Sequence, residues 1–309
     1  MELKHYSVLL NESIEMLNIK KNGIYVDCTL GGGGHSSVIL SKLEKGHLYA
    51  FDQDEDAIKI ARPRLEAIGN NFTIIKSNFV DLKEELNDLG ITNVDGIIFD
   101  LGVSSFQFDI PERGFSYRFD SPLDMRMDKS SDFSAYDIIN TYSQDELAKV
   151  FFEYGEEKFS RNIARKIVES RKQKPISTTF ELVDIIKSSL PAAVLRKQGH
   201  PAKQVFQALR IEVNHELDYL KNALTDALSI LNPGGVVSVI TFHSLEDRIV
   251  KNIFKDKVTL KLPKGIPFIP EGYKVEYELI NKNVILPSEK ELDENNRSHS
   301  AKLRGIRKL

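Results

Sequence analysis

Residues 24–35 read Ile24-Tyr25-Val26-Asp27-Cys28-Thr29-Leu30-Gly31-Gly32-Gly33-Gly34-His35. The apolar first part predicts a β-strand over residues 24–30, and the segment after the glycines predicts a helix over residues 34–44. Strand, glycine turn and helix in this order are how α/β proteins hold nucleotide-like ligands, because glycine lets the main chain approach a ligand closely. We therefore expect a ligand site at this turn.

The details of the turn distinguish between ligands. In the dinucleotide pattern G-x-G-x-x-G, Gly31 and Gly33 fit the first two positions, but Ser36 occupies the third. Asp27, four residues before Gly31, could neutralise the ammonium of S-adenosylmethionine directly or through water. Asp52, 21 residues after Gly31, could accept hydrogen bonds from two ribose hydroxyls, which both ligands possess. The pattern favours S-adenosylmethionine over NAD; the alternative is a purely structural turn.

Composition limits the class of protein. The 309 residues are 41% hydrophobic with a net charge of −3, so an RNA site must be a local patch rather than a global field. The single cysteine excludes an internal disulfide framework and a cysteine-rich zinc site. No apolar run approaches the roughly 20 residues of a membrane span, and the N-terminus lacks a signal-peptide core. We expect a cytoplasmic protein without membrane contact.

The first hundred residues alternate strand and helix. Strands are predicted over residues 24–30, 47–52, 72–77 and 94–100, and helices over 34–44, 54–68 and 81–89, with Asp54 as the N-cap of the second. This series predicts a parallel, doubly wound sheet. Residues 103–133 lack periodicity and are predicted to form a long loop.

The middle of the chain is predicted to be helical. Capping boxes begin helices at Ser143 and Thr178, and a third helix spans residues 156–172. One long amphipathic helix is expected over residues 201–231, ending at Asn232-Pro233-Gly234-Gly235. Strands are then expected over residues 236–242, 258–262, 275–280 and 283–286. The prediction is a Rossmann-like α/β domain made of residues 1–105 and 214–309, with a helical substrate-recognition domain, residues 106–213, inserted.

Asp100 is the candidate catalytic residue. It ends the most apolar strand, where ligands of open α/β sheets bind. In a methyltransferase this position faces the methyl group and the nucleophile. An exocyclic cytosine amine is a poor nucleophile, and a carboxylate accepting one of its N–H bonds would orient its lone pair. The alternative is that Asp100 only caps a turn.

Other residues near the predicted strand ends have two interpretations each. Phe79 could pack on an adenine face or lie in the core, and the Gln107 amide could reach a bound nucleoside. His243 could line a base pocket or be structural, and Ser244 and Asp247 have the spacing of a helix cap. Cys28 lies beside the glycine turn as a small buried residue, which disfavours carbon-5 methylation of cytosine. The histidines show no metal-ligand spacing, so no metal is predicted.

Two basic clusters contrast with the slightly negative net charge of the chain. One comprises Lys158, Arg161, Arg165, Lys166, Arg171, Lys172 and Lys174, and the other Arg297, Lys302, Arg304, Arg307 and Lys308. They could be solvated helix faces. Alternatively, they could contact RNA phosphates beside a loop whose aromatic residues stack on bases, namely Phe106, Phe108, Phe115 and Tyr117.

Over essentially its whole length the chain resembles the bacterial small-subunit ribosomal RNA N4-cytosine methyltransferase family, known as RsmH or MraW. The resemblance rests on motifs in a fixed order: His5-Tyr6-Ser7-Val8-Leu9-Leu10, Gly31-Gly32-Gly33-Gly34-His35-Ser36, Asp100-Leu101-Gly102-Val103-Ser104-Ser105, Arg113-Gly114-Phe115-Ser116, Pro122-Leu123-Asp124-Met125-Arg126-Met127-Asp128, Phe242-His243-Ser244-Leu245-Glu246-Asp247-Arg248 and Arg297-Ser298-His299-Ser300-Ala301-Lys302-Leu303-Arg304.

The resemblance implies S-adenosylmethionine as methyl donor and a cytidine in the decoding region of small-subunit RNA as acceptor. By motif match the cofactor would be held by Gly33, Gly34, His35, Asp52, Phe79, Asp100 and Gln107. Many amino-methyltransferases carry two prolines and an aromatic residue after the acid of the fourth strand, which this chain lacks. Phe115 and Tyr117 are therefore the candidates for stacking on the target base, and Arg165 and His243 for other substrate contacts.

Two alternatives remain open. A nicotinamide-dependent oxidoreductase is disfavoured by Ser36 and by the lack of a plausible hydride-site pair. A non-catalytic RNA-binding assembly factor is disfavoured by the intact set of Asp27, Asp52 and Asp100. The expected partner is small-subunit RNA in an assembled or nearly assembled 30S subunit, and the sequence leaves a homodimer open.

Overall fold

The computed structural model describes residues 7–260 and 274–309. The chain divides into two compact units. The sheet unit contains Met1–Gly102 and Leu217–Leu309, and the helical unit contains Val103–Glu216. These borders lie a few residues from the predicted ones. The first part of the N-terminal family motif, His5 and Tyr6, lies outside the described residues.

Seven strands form the sheet of the first unit. They are β1 (Ile24–Asp27), β2 (His47–Phe51), β3 (Phe72–Ile75), β4 (Val94–Asp100), β5 (Leu231–Thr241), β6 (Tyr277–Leu279) and β7 (Lys302–Lys308). Their order is β3-β2-β1-β4-β5-β7-β6. The first five are parallel, and β7 runs antiparallel to both β5 and β6. The predicted doubly wound, Rossmann-like sheet is confirmed.

The described α-helices follow in chain order. They are α1 (Leu10–Leu17), α2 (Gly34–Lys42), α3 (Glu55–Glu66), α4 (Leu82–Asp88), α5 (Ser105–Asp109), α6 (Ala135–Thr141), α7 (Gln144–Glu153), α8 (Ser160–Arg171), α9 (Thr179–Ser189), α10 (Ala192–Leu195), α11 (Lys203–Asn214), α12 (Glu216–Ser229), α13 (Ser244–Val258) and α14 (Glu289–Glu294). In the described part of the chain, none is long and apolar enough to cross a membrane.

Each face of the sheet packs on helices. Val26 and Phe99 join a core with side chains of α4, α12 and α13, whereas Tyr25 and Ile98 join a core with α1, α2 and α3. The division follows from the alternation of side chains along a strand. β1 and β4, the strands that carry these residues, are covered by helices on both faces, which explains the apolar runs in their sequences.

The helical unit has a core of its own, supplied chiefly by α6 to α9 and α11. The predicted capping boxes are confirmed. Ser143 and Glu146 cap α7, and Thr178 and Glu181 cap α9. Residues 103–133, predicted as a loop, contain α5 and a 3₁₀ turn at Pro111–Arg113.

The prediction of one helix over residues 201–231 was wrong. His215 adopts a left-handed conformation with φ 51° and separates α11 from α12. Such a conformation is expected of glycine or asparagine, so the sequence contained no usual stop signal.

The C-terminal strands also differ from the prediction. Residue 258 ends α13, residues 259–260 are not a strand, and residues 261–262 lie outside the described residues. Around Ile285 there is only an isolated bridge to Leu303. Strand β7, which pairs with β5 over Val236–Thr241, was not predicted. Strand β5 begins at Leu231, and its register with β4 is irregular between Val94 and Gly96.

Candidate active site

The predicted site residues of the sheet unit lie at the carboxyl ends of its parallel strands. Asp27 and Asp100 end β1 and β4, Asp52 follows β2, Phe79 follows Asn78 after β3, and His243 lies two residues after β5. Because these strands are parallel, their carboxyl ends share one edge of the sheet. Hydrogen bonds between the loops show how closely some of these residues approach one another.

The glycine turn needs glycine at specific points. Gly31 and Gly33 have φ angles of 49° and 76°, a region that favours glycine. Gly33 is the N-cap residue of α2, and a Cβ on it would lie 3.2 Å from the Ala61 Cβ. A side chain here would be both strained and crowded. The turn therefore presents bare backbone at the start of a helix.

Asp52 is held by two backbone donors. Its Oδ2 accepts the N–H of Gly31 at 2.8 Å, and its Oδ1 accepts the N–H of Asp54 at 2.8 Å. Burial raises the pKa of Asp52 to about 7, although these two hydrogen bonds act in the opposite direction. Each carboxylate oxygen has two lone pairs, so each can accept one further donor, such as a ribose hydroxyl. Asp54 caps α3, as predicted, by accepting the N–H of Asp56.

The surroundings of Asp27 differ from those expected of a side chain in direct contact with a ligand. Its carboxylate is 1% exposed and accepts the Ser36 hydroxyl at 2.6 Å and the Thr29 N–H at 3.0 Å. Burial raises the pKa of Asp27, and these hydrogen bonds oppose the rise. In this arrangement Asp27 secures both ends of the glycine turn. The serine in the third glycine slot thus has a structural partner.

Asp100 is held through its backbone and leaves part of its carboxyl group unused. Its N–H donates to the Thr29 hydroxyl oxygen at 2.7 Å. Its Oδ1 is buried and, among the described residues, has no hydrogen-bond partner; the same holds for Nε2 of His35. Oδ2 of Asp100 lies 3.5 Å from Nδ1 of His35. Buried polar atoms without hydrogen-bond partners are rare, so these two atoms point to a bound ligand that supplies the missing partners.

The electrostatics of this pair follow from burial. Burial raises the pKa of Asp100 well above its ordinary value, and the negative charges of Asp27, Glu246 and Glu291 raise it further. Burial lowers the pKa of His35 to about 4, with a hydrogen bond to the Val8 backbone acting in the opposite direction. His35 is therefore neutral near pH 7. A cation bound beside Asp100 would favour its carboxylate form.

Phe79 begins a 3₁₀ turn and is half-buried, and its ring centroid lies 5.6 Å from that of Phe99 in a T-shaped arrangement. Asn78 caps this turn and also donates to the Gln53 amide oxygen at 2.8 Å, which joins the loops after β2 and β3. Phe79 thus packs on the core while part of its ring remains accessible. Both interpretations of Phe79 are compatible with this position.

Gln107 belongs to the helical unit. It is buried on α5, and its amide oxygen accepts the N–H of Ser104 at 3.0 Å. The structure thus gives this amide a role in holding its own turn.

The helix after β5 is capped differently from the prediction. The capping box consists of His243 and Glu246, and Glu246 Oε2 accepts the N–H groups of Phe242 and His243. Nε2 of His243 lies 3.0 Å from Oε1 of Glu246. Asp247 does not cap the helix but accepts Nε of Arg304 at 2.7 Å. Both ring nitrogens of His243 are nevertheless buried without a hydrogen-bond partner among the described residues, so the base-pocket interpretation of His243 stays a prediction beside its capping role.

The position of Phe115 does not favour its predicted stacking on the target base. Its side chain is 4% exposed within the core of the helical unit, where the Arg113 guanidinium lies 5.7 Å from its ring centroid. Tyr117 is half-buried, and one face of its ring stacks on His200 at 4.1 Å. The apolar environment of the helical core competes with base stacking for both rings.

Much of the predicted basic clusters is used inside the protein. Arg165 pairs with Glu169 at 2.7 Å, and Lys174 pairs with Glu181 at 2.7 Å. Arg171 donates to two backbone carbonyls. Near the C-terminus, Lys302 pairs with Asp247, Arg307 with Glu278, and Lys308 donates to the Leu231 carbonyl. These contacts favour the structural interpretation for the C-terminal cluster and for Arg165.

Cys28 is buried, as predicted, and burial raises the pKa of its thiol well above the ordinary value. A thiol in this state is a poor nucleophile. Its position beside the turn is therefore structural.

Sequence reasoning missed residues whose role depends on contacts distant in sequence. Thr29 joins the Asp27 carboxylate to the Asp100 backbone. In the helical unit, Arg113 donates to the Arg126 and Met127 carbonyls, and Asn214 binds the backbone of Met127 and Met125. Of Thr29, Arg113 and Asn214, only Arg113 lies inside a family motif, so the sequence carried no signal for the other two.

Comparisons with known proteins identify the family. The model of the MraW methylase family matches residues 2–309. A protein of Lactobacillus delbrueckii subsp. bulgaricus named "Ribosomal RNA small subunit methyltransferase H" is 57% identical, with 100% of each chain covered. One of the same name from Streptococcus dysgalactiae subsp. equisimilis is 55% identical, covering 100% of this chain and 98% of that protein.

Solved structures show only distant likeness. An rRNA methylase from Streptococcus thermophilus is 13% identical with a TM-score of 0.43, covering 97% of this chain and 93% of that one. A Streptococcus mutans structure in complex with SAH is 16% identical with a TM-score of 0.45, covering 99% and 100%. The match of the family model over almost the whole chain, together with relatives identical at more than half of their positions, shows that this chain belongs to the MraW methylase family.

Proposed function

We propose that this protein transfers the methyl group of S-adenosylmethionine to the exocyclic N4 amine of a cytidine in the decoding region of small-subunit ribosomal RNA. The coarser statement follows from the family: the protein is an S-adenosylmethionine-dependent methyltransferase of ribosomal RNA. The observation that carries the finer proposal is the buried Oδ1 of Asp100 at the end of β4, which has no hydrogen-bond partner in the part of the chain that the structure describes.

The sheet unit fits the cofactor in three ways. Asp52 has lone pairs left for two ribose hydroxyls after binding Gly31 and Asp54. The exposed part of the Phe79 ring is suited to an adenine face. Gly33 offers close backbone approach at the start of α2. Nε2 of His35, which has no partner within residues 7–260 and 274–309, offers a polar contact nearby. We assign Gly31, Gly33, Gly34, His35, Asp52, Phe79 and Asp100 to cofactor binding, with Asp27 in support. Gln107 stays assigned by its motif.

The cofactor supplies a methyl group whose bond to sulfur breaks as its bond to the acceptor nitrogen forms. Asp100 becomes a carboxylate when a cation is bound beside it. Its Oδ1 then accepts one N–H of the amine, which orients the nitrogen lone pair, and takes that proton once the nitrogen has gained the methyl group. Thr29 holds the Asp100 backbone during these events, and neutral His35 lies beside Oδ2.

The nature of the nucleophile supports nitrogen as the acceptor atom. Carbon-5 methylation of cytosine would need a thiolate, and the single cysteine is a buried thiol next to the glycine turn. A carboxylate is sufficient for an amine.

We further propose that the substrate is an assembled or nearly assembled 30S subunit in the cytoplasm and that the helical unit recognises it. A homodimer is compatible with this reaction, and sedimentation of the purified protein would measure it.

The test is a methyl-transfer assay with labelled S-adenosylmethionine and small subunits from cells that lack the enzyme. The RNA is digested and its nucleosides are separated. We expect label in N4-methylcytidine and a loss of about 100- to 10,000-fold in rate for Asp100→Asn, since a positioned proton acceptor typically contributes that much. The control is Asp88→Asn, at the exposed last residue of α4, which should not change the rate.

Other outcomes would reject the proposal in different ways. Label in another nucleoside would leave a methyltransferase with a different acceptor. Tight cofactor binding without label in RNA would favour a non-catalytic assembly factor. An Asp100→Asn variant as fast as the wild type would remove Asp100 from the mechanism.

A further inference from the structure

We propose that one end of the helical unit is a docking surface for the phosphodiester backbone of the substrate RNA. This cationic end consists of Lys187, Arg196, Lys197 and Lys203, with Lys158 and Arg161 on the neighbouring helix start. The proposal rests on the proposed function, since it takes ribosomal RNA as the partner. It concerns residues that, apart from Lys158 and Arg161, lie outside the basic clusters seen in the sequence.

Contacts between helices bring these cations to the same end. Asn162, in the first turn of α8, donates to the carbonyl of Ser189, the last residue of α9. Gln207, early in α11, donates to the carbonyl of Tyr154 at 3.0 Å, in the segment that leads into α8. The start of α8, the end of α9 and the start of α11 are therefore neighbours. Lys187 lies on the last turn of α9, and Lys203 begins α11.

The segment between α9 and α11, which carries Arg196 and Lys197, is attached to the core. His200 stacks on Tyr117 at 4.1 Å with an interplanar angle of 9°, and Tyr117 meets the edge of Phe206 at 5.6 Å. His200 Nδ1 also accepts the N–H of Ala202 at 3.2 Å. These contacts restrict the segment, so less conformational entropy is lost when its cations bind a ligand.

The charge of this region is one-sided in sequence. Asp184 and Glu212 are consecutive acids, and the residues between them include five cations: Lys187, Arg196, Lys197, Lys203 and Arg210. Arg210 forms an ion pair with Glu216. The other four are exposed, and in the described ranges none of them has an ion pair. The pKa of His200 is lowered by burial and further by the charge of Lys187.

The acids at this end are few. Glu153 at the end of α7 and Glu156 between α7 and α8 are exposed, while Glu157 is buried and accepts the Phe159 N–H. Asp184 lies one turn before Lys187 on α9. By contrast, the cations along the middle of α8 are opposed locally, as in the Arg165–Glu169 pair. Unopposed cations are therefore concentrated at the helix end rather than along the predicted helix face.

Two helix N-termini add to the positive potential. α8 and α11 each have 12 residues, and in the described structure neither N-cap residue provides a side-chain cap. Backbone N–H groups at such ends bind phosphate oxygens, and the helix dipole favours negative charge there. Spaced lysines and arginines with uncapped helix starts fit a chain of phosphates, because each phosphate presents its own charge. This chemistry selects RNA as the partner.

The test combines Lys187→Ala, Arg196→Ala, Lys197→Ala and Lys203→Ala in the full-length protein. The matched control removes the same charge from exposed lysines of the sheet unit that lie toward the amino ends of its strands: Lys42, Lys45, Lys251 and Lys255. Binding to a decoding-region RNA fragment is measured at several salt concentrations. Each lost phosphate contact should lower the slope of log K against log salt by about 0.7 to 0.9, hence by about 3 for the variant.

We also expect a higher KM for small subunits, with unchanged kcat at saturation and unchanged affinity for S-adenosylhomocysteine. Equal slopes for variant and wild type, or an equal loss in the control, would overturn the proposal. Loss of binding to intact subunits without loss for naked RNA would assign the surface to a ribosomal protein and would also overturn it. Because RNA binding is measured without methyl transfer, failure of the N4 assignment would be seen separately.

Discussion

The affinity for the cofactor should depend on pH through Asp52. Both carboxylate oxygens accept backbone N–H groups at 2.8 Å, and burial raises the pKa of Asp52 to about 7 in the free protein. The ionised carboxylate accepts hydrogen bonds from two ribose hydroxyls better than the protonated form, because one oxygen of the protonated form carries a proton and is a weaker acceptor. The cofactor therefore binds the ionised form and lowers this pKa.

The sign and size follow from this linkage. Above about pH 8 Asp52 is ionised without help, and the affinity should be constant. Below pH 7 the carboxyl must first lose a proton, so the dissociation constant should rise about tenfold per pH unit, which is about 1.4 kcal/mol per unit. Between pH 8 and pH 6 we expect about a tenfold loss of affinity.

Isothermal titration with S-adenosylhomocysteine between pH 5.5 and 8.5 measures this dependence. Asp52→Asn should bind more weakly and with little slope, since it has no proton to lose. Asp54→Asn, at the neighbouring helix cap, should keep the slope. The reasoning would be refuted by a change below twofold between pH 6 and 8, or by a slope that persists in Asp52→Asn. The second result would assign the proton to another buried acid of the site.

Two predictions concern stability, each with its own control, and urea unfolding measures both. Gly114→Ala should cost about 2 to 5 kcal/mol, because φ there is 69° and a Cβ would clash with the Pro122 carbonyl oxygen, whereas Gly90→Ala, with φ 77° and open space, should cost only about 1 to 2 kcal/mol. Equal costs would mean that the contact relaxes freely. Asp247→Ala leaves a largely buried arginine of β7 without its partner and should cost about 3 to 5 kcal/mol, against below about 1 kcal/mol for the exposed Glu278→Ala. A small effect of Asp247→Ala would show that the arginine finds water or another acceptor.

The sequence predicted the first four strands well because each combines a local apolar run with an acid or polar residue at its end. Strand β7 was missed for a physical reason. In Lys302–Lys308, buried Leu303 and Ile306 alternate irregularly with charged residues, and the strand forms only by pairing with distant β5. Its cations looked like a nucleic-acid patch because their acidic partners lie far away in sequence.

The candidate site shows the same limit. Asp52 and Asp100 were found from strand ends, which is local information. Burial of Phe115 and the link from Asp27 through Thr29 to Asp100 depend on which side chains meet in three dimensions. Sequence motifs pointed to these segments, but they could not separate residues that face the proposed ligand from residues that hold those in place.

The strand order has a consequence for synthesis on the ribosome. β4 is a central strand with a buried apolar stretch at residues 97–99, and its neighbour β5 is made only after the whole helical unit. Contacts within that unit are closer in sequence, so we expect it to fold first. Until residues 231–241 emerge, one edge of β4 in the nascent chain is unpaired and prone to aggregation. Until residues 302–308 follow, the outer edge of β5 is unpaired in the same way. A truncated translation product that ends between β4 and β7 should therefore aggregate rather than persist as an incompletely folded enzyme.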